Sequence, residues 1–181
     1  MARGLNKVMI IGFVERDLAL RYTSENQPVT SFSVSTRRRW TTSLGEAREA
    51  TEWFNVVAWG SLAQAAVNQL KRDQRVYAEG HLQTRTWQDA EGQRHCCAEV
   101  VASILIPMDS RQALPAEESE ETPLCLNRVM VIGNLGRDPE MRYTPGGQAV
   151  TSFSLAATRS WLSANEGRRD STEWFNIVCW G

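Results

Sequence analysis

The sequence predicts an all-β fold with one short helix, and three observations lead to that prediction. A segment with the two-residue period of a strand, TEWFNVVAWG, occupies residues 51–60 and recurs as TEWFNIVCWG at 172–181. Only residues 61–72 space their apolar side chains as a helix does. The other apolar segments are short, rich in β-branched residues and bounded by turn residues. We therefore expect sheets, with a single helix between strands.

The first half of the chain predicts three strands. LNKVMIIGFV, 5–14, is a nearly continuous apolar run, which indicates a strand buried on both faces. PVTSFSVSTRRRW, 28–40, is the second strand, and the polar residues 41–50 after it predict an exposed hairpin loop. The third strand is 51–60. One face of it carries Phe54, Val56 and Ala58, which can close a core, and the other carries Trp53, Asn55, Val57 and Trp59.

A helix and a hairpin follow the third strand. SLAQAAVNQLKR, 61–72, predicts the helix, with Ser61 as the residue that caps its start. RVYAEGHLQTRTW, 75–87, and RHCCAEVVASILI, 94–106, predict a hairpin that turns at Asp89-Ala90-Glu91-Gly92. The order strand-strand-strand-helix-strand-strand is that of the five-stranded OB-fold barrel.

The chain is a tandem repeat. A shift of 121 residues aligns its start with its end without a gap, and roughly half of the aligned positions are identical. The predicted organisation is an OB-fold domain at 1–107, an acidic flexible linker at 108–124 and a partial second OB-fold of about three strands at 125–181. An acidic partner-binding or DNA-mimicking segment is the alternative to a plain linker.

Three strands with an apolar face cannot close a barrel. A truncated product is the explanation that we favour for the second repeat. Completion by another chain and poor order are the alternatives that the sequence leaves open.

Composition excludes several classes of protein. The four cysteines form no CxxC pair, which predicts reduced thiols in a cytoplasmic protein and neither zinc nor a disulfide framework. No apolar run approaches the length of about 20 residues that spans a membrane. The sequence has no phosphate-binding glycine loop and no arrangement of nucleophile and histidine, so we expect no catalytic residue, cofactor, metal or small-molecule substrate. The net charge of −1 lends no support to nucleic-acid binding, so that case depends on where aromatic and basic residues lie.

The tryptophans are the candidate functional residues. A lone tryptophan more often packs in a core, but Trp87 is in phase with the polar His81, Gln83 and Arg85, and Trp40 follows three arginines. Exposed indoles can stack on any unpaired base, each contact contributing about 1–3 kcal/mol. The predicted stacking residues are Trp40, Trp53, Trp59 and Trp87 in the first repeat and Trp161, Trp174 and Trp180 in the second.

Arginines that adjoin these rings, with other basic residues of the chain as further candidates, are predicted to contact phosphates. They are Arg3, Lys7, Arg37, Arg38, Arg39, Arg72, Arg85 and Arg128.

These segments together resemble bacterial single-stranded DNA-binding proteins. The resemblance rests on LNKVMIIGFVERD, on its repeat LNRVMVIGNLGRDPEMRYTPGGQAV, on TEWFNVVAWG, and on VYAEGHLQTRTW followed by AEVVA. Family positions that match Trp40, Trp53 and Trp87 carry tryptophan, and the position of Trp59 usually carries phenylalanine. Asn55 and Ser61 stand where relatives often have basic residues.

The resemblance implies non-sequence-specific binding and protection of single-stranded DNA in replication, recombination and repair, by a non-enzymatic, nucleoid-associated protein. It also implies a homo-oligomer, because relatives with two OB domains dimerise and those with one form tetramers. The sequence lacks the acidic tail through which many relatives recruit other enzymes, so recruitment by that route is not expected. An RNA-directed OB module, or an interaction module whose aromatics form subunit contacts, are the alternatives.

Overall fold

A computed structural model describes residues 4–42, 45–110, 125–163 and 167–181. Arg3 and residues 111–124 of the predicted linker lie outside the described residues. The elements of the first repeat are β1 (Leu5–Val14), β2 (Arg21–Tyr22), β3 (Pro28–Thr41), β4 (Ala47–Trp59), α1 (Gly60–Gln69), β5 (Gln74–Gln88) and β6 (Arg94–Ser110). Those of the second are β7 (Leu126–Ile132), β8 (Asn134–Leu135), β9 (Glu140–Tyr143), β10 (Ala149–Ser163) and β11 (Gly167–Trp180).

The chain divides into two compact units. One is Lys7–Val129, and the other is Met130–Gly181 together with the described residues before Lys7.

The first repeat forms the closed five-stranded barrel that the order of elements predicts. Its five long strands pair in the order β3-β4-β6-β5-β1, and β1 also pairs with β3, which closes the sheet. The two-residue β2 pairs with β3 beside this closure. The β4–β6 pair is parallel and short, running through Val56 and Val57 on β4 opposite Val100 and Val101 on β6. The barrel is therefore closed by strands that are distant in sequence.

Apolar side chains from every long strand of the barrel and from α1 meet in one core. Phe32 and Ile10 are the largest fully buried side chains, and full burial of each contributes roughly 1.5–3 kcal/mol. Ala66 and Leu70 of α1 lie in the same cluster. The other buried members are Val8, Val14, Val34, Val56, Val76, Ala78, Val100 and Ala102.

Gly12 lies where β1 crosses β3. A Cβ atom at this position would overlap the backbone carbonyl of Ser35. The repeat reproduces the crossing, because a Cβ on Gly133 would overlap the carbonyl of Ala156, the counterpart of Ser35. Glycine is required at both positions by the close approach of two backbones.

Several element boundaries differ from those predicted. Residues 41–50 are not all loop, since β3 continues to Thr41 and β4 begins at Ala47, with Trp40 opposite Arg48. This part of the β3–β4 ladder extends beyond the barrel, so neither of its faces packs on a core. Its residues therefore lack the apolar alternation by which a strand is recognised. β6 continues through Ser110 and so includes the first residues of the predicted linker.

The cap predicted at Ser61 is wrong. α1 begins at Gly60, its N-cap residue is Trp59, and no side chain caps it. Gly60 has a φ of 59°, a conformation that glycine adopts without strain. The glycine thus turns the chain from β4 into the helix directly after Trp59.

The second repeat reproduces the first three long strands of the barrel. β10 pairs with β11 along its whole length, and Leu155 lies opposite Leu135 as Val34 lies opposite Val14 in the first repeat. Among the described residues of 125–181, Ala157 is the one buried apolar side chain. Phe153 and Ile177, the counterparts of fully buried core residues, are only half-buried. The sheet has the pattern of a barrel wall without the packing of a closed core.

Candidate nucleic-acid interface

All seven tryptophans lie at the protein surface. The most open one in the first repeat is Trp53, with 65% of its surface exposed, whereas Trp40, Trp59 and Trp87 are 38–42% exposed. The second repeat exposes Trp161, Trp174 and Trp180 in the same manner. Core packing of these indoles is thereby excluded, as the alternation of faces predicts.

Trp40 and Trp53 lie on different sides of the β3–β4 ladder. Directly paired residues share a side, and Trp53 pairs with Ser35, so its side continues through Arg37 and Arg39. Trp40 pairs with Arg48, and its side is shared by Arg38. The arm formed by β3 and β4 beyond the barrel therefore presents an aromatic and basic surface on each side.

Glu49 binds two of the three consecutive arginines. Arg39 donates to Glu49 from Nε at 2.7 Å, and the Arg37 Nε lies 3.1 Å from the other carboxylate oxygen. The hydrogen bond from Arg39, aided by the charges of Arg37 and Arg39, holds the pKa of Glu49 below its ordinary value. Two predicted phosphate contacts are thus paired within the protein.

The third arginine of the run contacts an indole. The Arg38 guanidinium carbon lies 4.6 Å from the centre of the Trp40 ring, within the range of a cation–π contact. Arg159 makes the same contact with Trp161 at 4.5 Å. The sequence prediction missed Arg159, although the repeat shift applied to Arg38 indicates it.

Trp87 has an aromatic partner that the prediction also missed. The ring of His95, directly opposite on β6, stacks on the indole with centroids 5.3 Å apart and planes at 22°. His95 Nε2 lies 2.6 Å from the Asp89 Oδ2 atom in the turn of the hairpin. The hydrogen bond with His95 lowers the pKa of Asp89, which keeps this carboxylate ionised. A turn at 89–92 would pair Trp87 with Arg94, whereas Gln88 pairs with Arg94 and Trp87 with His95, so the predicted hairpin did not indicate this partner.

Trp59 lies in a groove of about 470 Å³ on the outer face of the barrel. Val57, which shares a face with Trp59, lines the groove beneath it and is 7% exposed. The polar residues of the lining include Arg21, Gln83, Arg85 and Glu99.

The groove depends on the last two strands of the barrel. Arg85 comes from β5 and lies 3.7 Å from Glu99 of β6, while Arg21 comes from β2. Trp180, the counterpart of Trp59, is 62% exposed against 40%. The difference follows because β5 and β6 have no counterparts among the described residues of the second repeat. Arg21 and Glu99 were not predicted, since only the closed barrel brings them to Trp59.

The remaining predicted cations lie apart from the indoles or carry partners. Lys7 on β1 forms an ion pair with Glu79 at 2.8 Å. Arg72 lies in the connection between α1 and β5, with its side chain 3.6 Å from Asp73. Arg128 is exposed on β7. Arg37, Arg38, Arg39 and Arg85 are therefore the predicted cations that lie with the tryptophans.

All four cysteines are free. In the described ranges, no cluster of three or more histidine, cysteine or acidic side chains is arranged to hold a metal ion. The described part of the chain also has no helix that is long and apolar enough to cross a membrane.

Comparison with known proteins shows the family of the chain. The chain matches the profile of the Single-strand binding protein family over residues 5–108 and 126–181. It belongs to that family. A single-stranded DNA-binding protein of Thermus thermophilus is 33% identical over 183 residues, covering 99% of this chain and 68% of that protein.

Solved structures of the family share the fold. The crystal structure of wild-type single-stranded DNA binding protein from Thermus aquaticus matches with a TM-score of 0.75 and 29% identity, covering 99% of this chain and 75% of that one. A Plasmodium falciparum SSB complex with single-stranded DNA matches with a TM-score of 0.56 and 27% identity, covering 60% of this chain and 99% of that one. The resemblance and the OB-fold drawn from the sequence are confirmed. Family membership also agrees with a binding protein rather than an enzyme.

Proposed function

We propose that this protein binds single-stranded DNA without sequence preference, stacking bases on its tryptophans and contacting phosphates with arginine and lysine side chains. The observation that carries the proposal is the exposure of all seven indoles, several of them beside guanidinium groups. An exposed indole costs solubility unless it has a ligand, and stacking on bases supplies one that does not depend on sequence.

The β3–β4 arm supports a wrapped path for the DNA. Trp53 and Trp40 project from different sides of the arm, so one strand that contacts both must pass around it. Such a path exposes phosphates to Arg37, Arg38 and Arg39, which lie on both sides. With about five phosphates neutralised per domain, the log–log slope of affinity against salt is about −3.5.

Titration with oligo(dT), followed by tryptophan fluorescence, tests the proposal. We expect strong quenching that weakens as salt rises. The double variant W53A/W87A should lose several kcal/mol of binding free energy, at about 1–3 kcal/mol for each ring, and keep the melting temperature of the parent. W53F/W87F, which retains flat rings, is the matched control and should bind more tightly than the alanine pair. Unchanged fluorescence at micromolar protein would refute the proposal.

Two alternative functions for the same surface make different predictions. An RNA-directed module would bind oligo(U) at least as tightly as oligo(dT), because stacking alone does not distinguish the sugar. An interaction module would show normal oligo(dT) behaviour in the tryptophan variants but a changed oligomeric state. Binding of oligo(U) and oligo(dT) by the parent chain tests the first alternative, and sedimentation of the tryptophan variants tests the second.

In the cell, the same binding would protect exposed DNA and prevent its re-pairing during replication, recombination and repair. We propose a cytoplasmic, nucleoid-associated location and a homo-oligomer, either a dimer or a tetramer, that brings several OB domains to one strand. Sedimentation with and without DNA measures the assembly, and a monomer in both conditions would contradict it.

A further inference from the structure

The β5–β6 hairpin contains a continuous set of contacts that ends on Trp87. Asp89 accepts backbone N–H groups of Glu91 at 3.1 Å and Gln93 at 2.8 Å through Oδ1, and contacts His95 through Oδ2 at 2.6 Å. His95 then stacks on Trp87. The turn of the hairpin is thereby linked to the orientation of an exposed indole.

The stack leaves much of Trp87 exposed. The imidazole stacks on one face of the indole at a centroid distance of 5.3 Å. Trp87 nevertheless keeps 42% of its surface exposed, and the His95 side chain is 39% exposed. The exposed part of the indole is the part that a base can use.

We propose that His95 is a positioning residue for the base that stacks on Trp87, with Asp89 holding the imidazole in place. This inference depends on the proposed function, since it concerns how one stacking platform is prepared for DNA. A surface tryptophan without a partner samples several rotamers and must be ordered when a base arrives. The offset stack with His95 orders the indole beforehand, as aromatic pairs in this geometry do.

Three features support positioning over a chance contact. The two rings are directly paired across the hairpin, so the backbone register brings them together. His95 Nε2 lies 2.6 Å from the Asp89 carboxylate, and this hydrogen bond lowers the pKa of Asp89. The same carboxylate is also tied to the turn backbone, which gives the imidazole a fixed anchor.

Substitution of His95 tests the proposal in the full chain with oligo(dT) as the probe. H95A removes the ring, and we expect affinity to fall by about threefold to tenfold, the range that an aromatic pair supports. H95F retains a flat ring but cannot hydrogen-bond Asp89, so it should restore part of the loss. H95L fills space without a flat ring and should not. C96A, at the neighbouring exposed position of β6, is the matched control and should bind as the parent does.

A double-mutant cycle separates positioning from a structural role. In a W87A background, H95A should cause no further loss, because the residue acts only through the indole. An equal loss in both backgrounds overturns the proposal, as does normal binding by H95A or equal binding by H95F and H95L. If the parent chain itself does not bind oligo(dT), the proposed function is refuted, and the role of His95 is refuted together with it. Melting temperatures are measured for every variant, and the H95F to H95L comparison decides the matter where H95A is unfolded.

Discussion

Arg38 places its guanidinium carbon 4.6 Å from the centre of the Trp40 ring, and Arg159 repeats this contact with Trp161 at 4.5 Å. The two pairs occupy matching positions of the repeat. The guanidinium group lies over the indole ring at each site. In the binding mode proposed above, a base that stacks on either indole would bring its phosphate near an arginine.

Removing the charge of Arg38 should weaken DNA binding. We expect R38Q to lower oligo(dT) affinity by up to about fivefold, because a contact between an exposed guanidinium and a phosphate is lost and exposed ion pairs contribute about 0.2–1 kcal/mol. The log–log salt slope should become shallower by about 0.7, the value for one phosphate contact to a single strand. Titrations at several salt concentrations measure both. R38K keeps the charge and is the control for the slope, and a slope unchanged in R38Q would contradict phosphate contact.

Removing the carboxylate of Glu49 should strengthen DNA binding. E49Q releases Arg37 and Arg39 from their ion pairs, so we expect affinity at low salt to rise by roughly threefold to tenfold. The salt slope should steepen by about 0.7 for each guanidinium that then contacts a phosphate. E46Q is the matched control, because Glu46 lies on the same arm and pairs with Arg48 at 3.0 Å. Equal effects of E49Q and E46Q would show that only total charge matters.

The stability of the barrel should depend on pH through Glu79. Lys7 and Tyr77 both donate to this carboxylate, and these hydrogen bonds lower its pKa from the ordinary 4.5. A lowered folded-state pKa means that the stabilisation is complete above about pH 4.5 and is lost as the pH falls through the lowered value.

The hydrogen bond to Glu79 also raises the pKa of Tyr77 from 10.0, so the stabilisation from Tyr77 is present below pH 10 and is lost above it.

Urea unfolding across the pH range checks this expectation. The free energy of unfolding should be level between the two limits and fall at each end. E79Q should flatten the acid limb relative to the parent, because the titrating group is gone. E25Q, at an exposed turn position, should leave that limb unchanged. An acid limb of equal depth in E79Q would assign the dependence to other groups.

A methyl group at Gly12 should destabilise the barrel strongly. The Cβ atom would overlap the Ser35 carbonyl, so β1 and β3 must separate and the closure of the sheet is weakened. We expect G12A to lose at least about 2 kcal/mol of unfolding free energy, as overpacking in tight sites does. G146A is the control, because its nearest new contact is an ordinary 3.9 Å to Thr144. Thermal or urea unfolding measures both, and equal stability of G12A and G146A would be contrary to the close approach.

The local sequence pattern was sufficient to predict most strands but not to predict where they begin and end. The alternation through Trp53, Asn55 and Trp59 was read correctly because each side chain's face follows from its own neighbours in the strand. Residues 47–50, the start of β4, were predicted as part of a loop because their side chains do not pack on a core and carry no apolar alternation. Ser61 was a plausible cap by residue type, but the glycine turn at Gly60 starts the helix one residue earlier.

The sequence by itself determined the repeat, the five-stranded barrel with its helix, and the exposure of the tryptophans. These follow from periodicity and spacing, which act over a few residues and recur along the chain. Only the tertiary structure decided which groups meet: Glu49 with Arg37 and Arg39, His95 with Trp87, and Arg21 with Arg85 around Trp59. The physical reason is that strand register and barrel closure bring together side chains from separate segments, and short-range pattern does not encode those pairings.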